Sequence, residues 1–384
     1  MNVLRPSNRS FCTCTPRQGV SQPPLKISRR PAAVHAKAKP PRVYKRKNVD
    51  LPPGVPPTEL FLSLVQGAPA ISGRPTLVNE DAARDLVREW GIDKMHDAVI
   101  VEPYAGPGGI TRALLELKNV KRVISVEDAQ RYTAYLRELR DKQEDPTRLA
   151  LVERDPYLWE SYTHIEELGL LADVPKHPWS EVHPNLFLAC QLPNSRHGDQ
   201  LFFQFLTAIA SKMWYFQYGR FQMGFTGSNA FWNKIQAPLG SLTYHKLAVL
   251  VPALGNLEKI DLLGGLLPPE RYFHKPRGDS GLQGIAKITP HENALVKNFE
   301  ALEHVTRNMF ISRTQSWRKG VAGLAPGAAN LIPLMEAAGI NQADVAVRDL
   351  TLQDWVIVAD VFNAWPFRAQ TLFDEGNFTE LDDL

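Results

Sequence analysis

Carboxylates and one amide recur in this sequence at the ends of apolar runs, where they can accept hydrogen bonds from a bound ligand. Glu102, Glu127 and Asp155 follow the first three runs, and Gln191 follows the fourth. Because the carboxyl ends of parallel strands meet at one edge of a sheet, these four side chains are expected to lie close together there. Their oxygens suit a ligand that offers hydroxyl or amino donors.

Glu102 also begins a glycine-rich turn that reads Glu-Pro-Tyr-Ala-Gly-Pro-Gly-Gly and leads into a helical pattern. A strand, a tight glycine turn and a helix N-terminus together let the backbone approach a nucleotide-like cofactor closely. Glu127 comes 19 residues after Gly108, where a carboxylate can accept hydrogen bonds from both hydroxyls of a cofactor ribose. The two features together indicate a site for an adenosine-containing small molecule.

Each of these features also has a plainer explanation when it is taken alone. The glycine turn can connect a strand to a helix without any ligand, and Glu127 with Asp128 can stabilise the start of the next helix through its dipole. Asp155 precedes Pro156 and can be an ordinary turn residue. The combination at this spacing favours the ligand-binding interpretation.

The elements that must position these side chains alternate between strands and helices, after a first helix over residues 79–90. This alternation predicts an α/β fold with a doubly wound, mostly parallel sheet and helices on both faces. Residues 242–251 and a strand near 259–263 are expected to complete the sheet, with an antiparallel edge. The other strands are predicted near 98–102, 122–126, 149–153 and 185–190, and the helices between them near 109–117, 128–142 and 197–212.

Dense glycine and proline punctuation between residues 264 and 284 indicates a domain boundary,. Helical patterns follow at 291–313, 330–338 and 352–365, and the chain ends in an acidic segment,. The sequence therefore predicts a Rossmann-like domain over 50–285, a small helical C-terminal domain over 286–368 and an acidic tail over 369–384.

The 384-residue chain has an ordinary globular composition, with 44% hydrophobic and 22% charged residues,. Its apolar runs are shorter than the ~18 residues that span a bilayer, so we predict no membrane-spanning segment. Beyond residue 49, Cys190 is the single cysteine, so no intrachain disulfide is possible there and a reducing compartment fits,. The ten histidines are scattered without metal-ligand spacing, and no metal is predicted,.

The net charge of +3 is unevenly distributed along the chain. Residues 1–49 hold twelve of the 44 basic residues and no acid, so the remainder carries 32 basic against 41 acidic residues, a net charge of −9. An acid-free segment that contains arginine and serine is typical of an organelle transit peptide, and we expect residues 1–49 to be a disordered mitochondrial one. The alternative is a basic arm that contacts nucleic acid.

Taken together, these residues resemble the rRNA adenine N6-dimethyltransferase family, specifically its fungal-type mitochondrial transcription factor B branch, over about residues 73–368. The resemblance implies a seven-stranded S-adenosylmethionine-dependent methyltransferase sheet. It also implies a catalytic turn formed by Gln191, Pro193 and Asn194. The residues that it implies for S-adenosylmethionine are Leu77, Glu102, Tyr104, Gly106, Gly108, Glu127, Asp155 and Gln191.

Departures from the family pattern predict weak or absent methyltransferase activity. Tyr104 stands at the first glycine of the cofactor loop, and Pro75 stands where the family has an amide. In the catalytic turn, Gln191 replaces asparagine and Asn194 replaces the aromatic residue that stacks the flipped-out adenine. Losing that stacking partner removes about 1–3 kcal/mol of base binding.

The resemblance therefore implies a monomeric transcription initiation factor of the mitochondrial matrix, which assists the mitochondrial RNA polymerase in promoter recognition and melting by binding DNA. The alternative is an active methyltransferase that modifies adenines of the mitochondrial small-subunit rRNA. A nicotinamide-dependent oxidoreductase shares the glycine loop, but Asp155 and the Gln191 turn disfavour it. The basic residues predicted to contact nucleic acid, each of which alone also fits an ordinary solvated surface, are Lys212, Arg220, Lys234, Lys246, Arg318 and Lys319.

Overall fold

The computed structural model of this chain describes residues 74–262, 272–274, 283–340 and 343–368. All of them belong to one structural unit, Val49–Leu384. The predicted transit peptide, Gly73 and the acidic tail lie outside the described residues. The strands are β1 (Thr76–Leu77), β2 (Ala98–Pro103), β3 (Val120–Val126), β4 (Leu149–Val152), β5 (Val182–Gln191), β6 (Arg220–Ser228), β7 (Gly255–Ile260), β8 (Phe273–His274) and β9 (Gln283–Pro290).

Eleven α-helices accompany these strands within the described ranges. They are α1 (Glu80–Glu89), α2 (Gly109–Glu116), α3 (Gln130–Asp141), α4 (Trp159–Glu167), α5 (Arg196–Ser211), α6 (Asn229–Ile235), α7 (Lys246–Leu254), α8 (Phe299–Met309), α9 (Trp317–Ala322), α10 (Ile332–Ala337) and α11 (Leu352–Ala364).

Seven strands form one sheet in the order β4-β3-β2-β5-β6-β9-β7. The five strands from β4 to β6 run parallel to one another. β9 is antiparallel to both of its neighbours, which gives the sheet its antiparallel edge. Strands β1 and β8 pair separately. The predicted doubly wound, mostly parallel, seven-stranded sheet is therefore confirmed.

The sheet is buried on both faces because successive side chains of its central strands point to opposite sides. In β5, Phe187 and Ala189 enter the core beneath α1 and α2. Leu188 and Cys190 enter the larger core on the other face, where α4, α5 and α7 pack. Both faces of the sheet are therefore apolar, and the polar side chains lie at the carboxyl ends of the parallel strands.

The structure corrects the expectation that residues 242–251 belong to the sheet. Most of them lie in α7, whose start is capped by the His245 side chain, which accepts a hydrogen bond of 3.0 Å from the Leu247 backbone N–H. A continuous apolar run does not distinguish a buried strand from a buried helix. The sequence pattern also does not predict β6 or β9. These two strands, together with β7, complete the sheet in place of the 242–251 segment.

The C-terminal region is helical, and it begins later than the sequence pattern suggests. The predicted boundary at residue 285 falls inside β9, which pairs with β6 and β7, so we propose a boundary after Pro290. The helix expected over 291–313 is the shorter α8, which begins where the Asn298 side chain accepts a hydrogen bond from the Ala301 backbone N–H at 2.9 Å. Trp317 and Trp355 are completely buried in the same core as α5 and α7.

Candidate functional site

Glu102 lies at the end of β2, and its carboxyl group is enclosed by the protein. Its Oε2 accepts hydrogen bonds from the Thr111 hydroxyl at 2.7 Å and from the Ser125 hydroxyl at 3.0 Å. Its Oε1 is buried without a hydrogen-bond partner. Burial raises the pKa of Glu102 to about 8, against the two hydroxyl hydrogen bonds, which lower it. At neutral pH this carboxyl is therefore mostly protonated and holds the start of α2 to β3.

The turn after Glu102, over residues 103–108, is called the cofactor turn below. It has left-handed backbone at three positions, with φ of +56° at Tyr104, +62° at Gly106 and +87° at Gly108. Such angles are routine for glycine and uncommon for a residue that has a Cβ. Tyr104 thus keeps the backbone conformation of a glycine at this position and adds a ring, which is 6% exposed.

Glu127 follows β3, is completely buried, and makes all of its hydrogen bonds within the chain. Its Oε1 accepts from Arg74 Nη1 at 2.8 Å and from the Ala129 backbone N–H at 3.0 Å. Its Oε2 accepts from Arg74 Nη2 at 2.5 Å and from the Gly106 backbone N–H at 2.8 Å. Both oxygens that the sequence assigns to ribose hydroxyls therefore have protein partners.

Arg74 is the main residue of this site that sequence reasoning missed. Its guanidinium is 4.5 Å from the centre of the Tyr104 ring and 5.5 Å from that of the Tyr132 ring, and the residue is 7% exposed. Burial lowers the pKa of Arg74, but the Glu127 carboxylate outweighs burial and the pKa is raised. The sequence offered one indication of this role: Arg74 is a basic residue three positions before Leu77, in a chain segment predicted to lie beside the cofactor.

Gln191 ends β5 and is also engaged by the chain itself. Its amide oxygen accepts a hydrogen bond from the Leu77 backbone N–H at 2.8 Å. Its amide nitrogen donates to the carbonyl oxygens of Tyr104 and Ala105, at 3.3 and 3.4 Å. Gln191 therefore ties β1 to the cofactor turn, and its acceptor oxygen points to backbone.

The remaining residues of the predicted catalytic turn lie beside Gln191. Pro193 is buried and Asn194 half-buried, and no aromatic side chain stands at the turn itself. Asp155 is half-buried, and its Oδ1 accepts a hydrogen bond from the Tyr157 backbone N–H at 2.9 Å. Burial and then the nearby Asp155 carboxylate raise the pKa of Tyr104, so Asp155 lies near that side chain.

The sequence-predicted cofactor residues are therefore brought together at one edge of the sheet, around the turn that starts at Glu102. Their arrangement does not fit S-adenosylmethionine, because Glu127 already accepts four hydrogen bonds from the chain, two of them from Arg74. The predicted residues share a location, but they contact one another and the backbone.

Two of the predicted nucleic-acid contacts, Lys212 and Arg220, lie at the opposite edge. Arg220 begins β6 and donates to the carbonyl oxygens of Trp179, Ser180 and Pro290. Lys212 directly follows α5, and its Nζ lies 4.8 Å from the centre of the Trp179 ring, beside a surface cavity of about 230 Å³. Because a strand rises about 3.3 Å per residue, the length of β6 separates this edge from the cofactor turn by about 25 Å.

Lys234 and Lys246 belong instead to a cluster near the catalytic turn, which we call the basic cluster and define as Lys234, His245, Lys246 and Arg313. Burial, followed by the three cations Lys234, Lys246 and Arg313, lowers the pKa of His245 to about 4. Lys234 also opposes the effect of burial on the pKa of Asp199, which lies in the first turn of α5, five residues after Asn194. Lys234 of the basic cluster therefore lies near the first turn of α5, the helix that follows the predicted base-binding turn.

The remaining predicted contacts, Arg318 and Lys319, lie in α9 of the C-terminal region. Arg318 pairs with Glu336 at 2.6 Å and with Asp344 at 3.3 Å, and its guanidinium lies over the Trp317 ring. Its charge is therefore balanced within the protein. Lys319 is exposed. The six predicted contacts do not form one surface.

Within the described ranges, no set of three or more His, Cys, Asp or Glu side chains is placed to hold a metal ion. In the same ranges, none of the helices has both the length and the apolar character needed to cross a membrane.

Comparison with known proteins gives a consistent result. The family model for ribosomal RNA adenine dimethylases matches residues 76–363. The human mitochondrial dimethyladenosine transferase 1 is 27% identical over 281 residues, which is 72% of this chain and 75% of that protein. Mitochondrial transcription factor 1 of Lachancea kluyveri is 23% identical over 295 residues, 73% of this chain and 85% of that protein.

A solved structure also matches the fold. A dimethyladenosine transferase from Plasmodium falciparum superimposes with a TM-score of 0.51 at 15% identity, over 75% of this chain and 97% of that one. At this identity the likeness supports the architecture of the sheet and its helices.

Proposed function

The chain belongs to the ribosomal RNA adenine dimethylase family, and we propose that it acts within that family as a mitochondrial transcription initiation factor. In this role it assists the mitochondrial RNA polymerase in recognising and melting promoter DNA. The Lachancea kluyveri relative, which carries the name mitochondrial transcription factor 1, supports the proposal because the match covers 85% of its length.

The observation that carries the proposal is that the side chains required for methyl transfer are already hydrogen-bonded to other groups of the chain. An acceptor for the exocyclic amine of adenine needs a free oxygen, whereas the Gln191 oxygen accepts from the Leu77 backbone at 2.8 Å. A ribose acid needs free lone pairs, whereas Glu127 accepts four hydrogen bonds from the chain. Asn194 offers no ring for base stacking. The family chemistry, which depends on S-adenosylmethionine, is poorly supported by these groups.

The basic cluster is the surface that we propose for melted DNA. His245 is uncharged at neutral pH because its pKa is lowered to about 4, so the charge comes from Lys234, Lys246 and Arg313. Lys234 and Arg313 are exposed, while Lys246 Nζ lies 3.8 Å from the buried Glu303 carboxylate. Because residues 50–384 carry a net charge of −9, binding depends on this local cluster and on the polymerase.

We also propose the mitochondrial matrix as the site of action and a monomer as the working form. The mitochondrial relatives support the first point, together with the acid-free, basic composition of residues 1–49,. The proposed partners are the polymerase and promoter DNA.

Run-off transcription from a linear mitochondrial promoter tests the proposal, with the polymerase present and this chain added or left out. We expect stimulation on duplex templates and much less on templates with a pre-melted start site. A Lys234→Ala/Arg313→Ala variant should lose most of the stimulation, whereas Lys94→Ala, an exposed lysine ahead of β2, should retain it. Equal transcription with and without the wild-type chain on duplex DNA would refute the proposal.

The salt dependence of single-strand binding gives a second readout. Three phosphate contacts give a slope of log K against log salt of about −2 for single strands. The double variant should lower that slope in magnitude to about −1, and an unchanged slope would assign the contacts to other residues.

The second candidate is an active adenine dimethyltransferase of the mitochondrial small-subunit rRNA, which the human relative's name favours. Transfer of a labelled methyl group from S-adenosylmethionine to the rRNA hairpin distinguishes the two functions. Robust incorporation that Asp155→Ala abolishes would replace the transcription proposal with this one.

A further inference from the structure

Arg74 and Glu127 form a bidentate ion pair in which both partners are removed from solvent. The Arg74 side chain is 8% exposed and that of Glu127 is 0% exposed. Two parallel N–H to oxygen contacts, at 2.8 and 2.5 Å, join the guanidinium edge to the carboxylate edge. Such paired contacts are both geometrically specific and stronger than hydrogen bonds between neutral groups.

The Arg74 guanidinium presents two adjacent donors to the two carboxylate oxygens of Glu127. The two neighbouring hydroxyls of a ribose would present two adjacent donors to the same oxygens. The Tyr104 and Tyr132 rings lie 4.5 and 5.5 Å from the guanidinium, so the cation is also covered by aromatic surface. We propose that Arg74 is a built-in occupant of the ribose subsite, which excludes S-adenosylmethionine and related adenosine ligands from this edge of the sheet.

The charges explain why an adenosine ligand does not displace Arg74 readily. Ribose hydroxyls are neutral, so exchanging Arg74 for a ribose leaves the Glu127 carboxylate buried without a cation. Breaking a buried ion pair by removing one partner is strongly unfavourable. Asp128, whose Oδ1 lies 3.6 Å from Arg74 Nη1, would lose the same partner.

The unusual backbone of Tyr104 has a cause in the same contact. A glycine at this position adopts a positive φ without strain, whereas tyrosine pays for it. The Tyr104 ring is held against Arg74 by the cation–π contact. Arg74, Tyr104 and Glu127 therefore form one structural unit, and its order depends on all three.

This inference shares the Glu127 hydrogen bonds with the proposed function but concerns only ligand binding, so a ligand titration and the promoter assay fail separately. Calorimetric titration of the full chain with S-adenosylmethionine and with S-adenosylhomocysteine tests it. We expect Arg74→Gln to bind both ligands at least about tenfold more tightly than the wild type. Arg84→Gln is the matched control, because Arg84 pairs on the surface with Glu116 at 2.7 Å, and it should bind as the wild type does. Equal affinity of the wild type and Arg74→Gln would overturn the proposal.

A measurement without ligand covers the case in which Arg74→Gln is too unstable to titrate. If Arg74 is the permanent partner of Glu127, Glu127→Gln lowers the melting temperature of the ligand-free protein by about 10 °C. Arg74→Gln should lower it similarly, and the double variant should lose less than the sum of the two because both single variants break the same pair. A Glu127→Gln protein that melts with the wild type would show that Glu127 is reserved for a ligand, and would overturn the proposal.

Discussion

Replacing the buried Glu102 by glutamine is expected to remove a large part of the pH dependence of folding. The carboxyl is completely buried, its Oε2 accepts from two hydroxyls, and its Oε1 has no partner. Burial raises its pKa from 4.5 to about 8. Between these two values the folded protein keeps the proton and the unfolded chain has lost it.

The sign follows from proton linkage. A carboxyl whose pKa is raised on folding contributes its full stability below the unfolded pKa, and this contribution is lost as the pH rises through the folded value. The loss is about 1.4 kcal/mol per pH unit. Over the window from about 4.5 to about 8, the wild type therefore loses on the order of 5 kcal/mol through this one group.

Glu102→Gln keeps the shape and the acceptor oxygen but cannot ionise. Its free energy of unfolding, relative to that of the wild type, should rise by about 4 kcal/mol between pH 5 and pH 8. Urea denaturation at four pH values in this range measures the difference. Glu89→Gln, at an exposed position of α1, controls for the loss of a carboxyl as such. Parallel curves for the wild type and Glu102→Gln would refute the reasoning.

Three further outcomes are expected. Gln191→Ala should lower the free energy of unfolding by about 2–3 kcal/mol, because a buried backbone N–H and two carbonyls lose their partner; urea denaturation that finds no change would contradict this role. Gly198→Ala should destabilise the protein more, since an added Cβ would lie 2.0 Å from the Pro193 backbone oxygen. At Gly323 an added Cβ would lie 3.5 Å from the nearest backbone oxygens, so Gly323→Ala should change the free energy of unfolding by less than about 0.5 kcal/mol in the same denaturation assay. Lys234→Ala should raise the pKa of His245 towards its usual range without reaching it, because burial is the larger cause; NMR titration of the ring protons measures the shift, and no shift would remove Lys234 from the basic cluster.

Much of the sheet was predictable because its signals are local. The apolar runs at β2, β3, β4 and β5 are short, separate and followed by polar groups, so both the strands and their shared edge follow from the pattern. β6 was missed because its residues include Gly224 and Gly227 among aromatics. β9 was missed because it comes directly after a glycine-rich stretch that predicts a loop. Both strands gain their order from pairing with each other.

The candidate site was likewise predictable only in part. Glu102, Glu127, Asp155 and Gln191 were predicted to meet at one edge, and the structure places them around the turn at Tyr104. The partners of these side chains were not predictable from spacing, because a buried polar group bonds to whatever the fold brings within reach.

The chain's own sequence determined the order of strands and helices, the glycine turn and the acids at strand ends, since each depends on residues close together along the chain. Only the tertiary structure decided that Arg74, 53 residues ahead of Glu127, fills the carboxylate's hydrogen bonds. The physical reason is that a buried carboxylate requires a cation or several donors, and which group supplies them is settled by three-dimensional proximity.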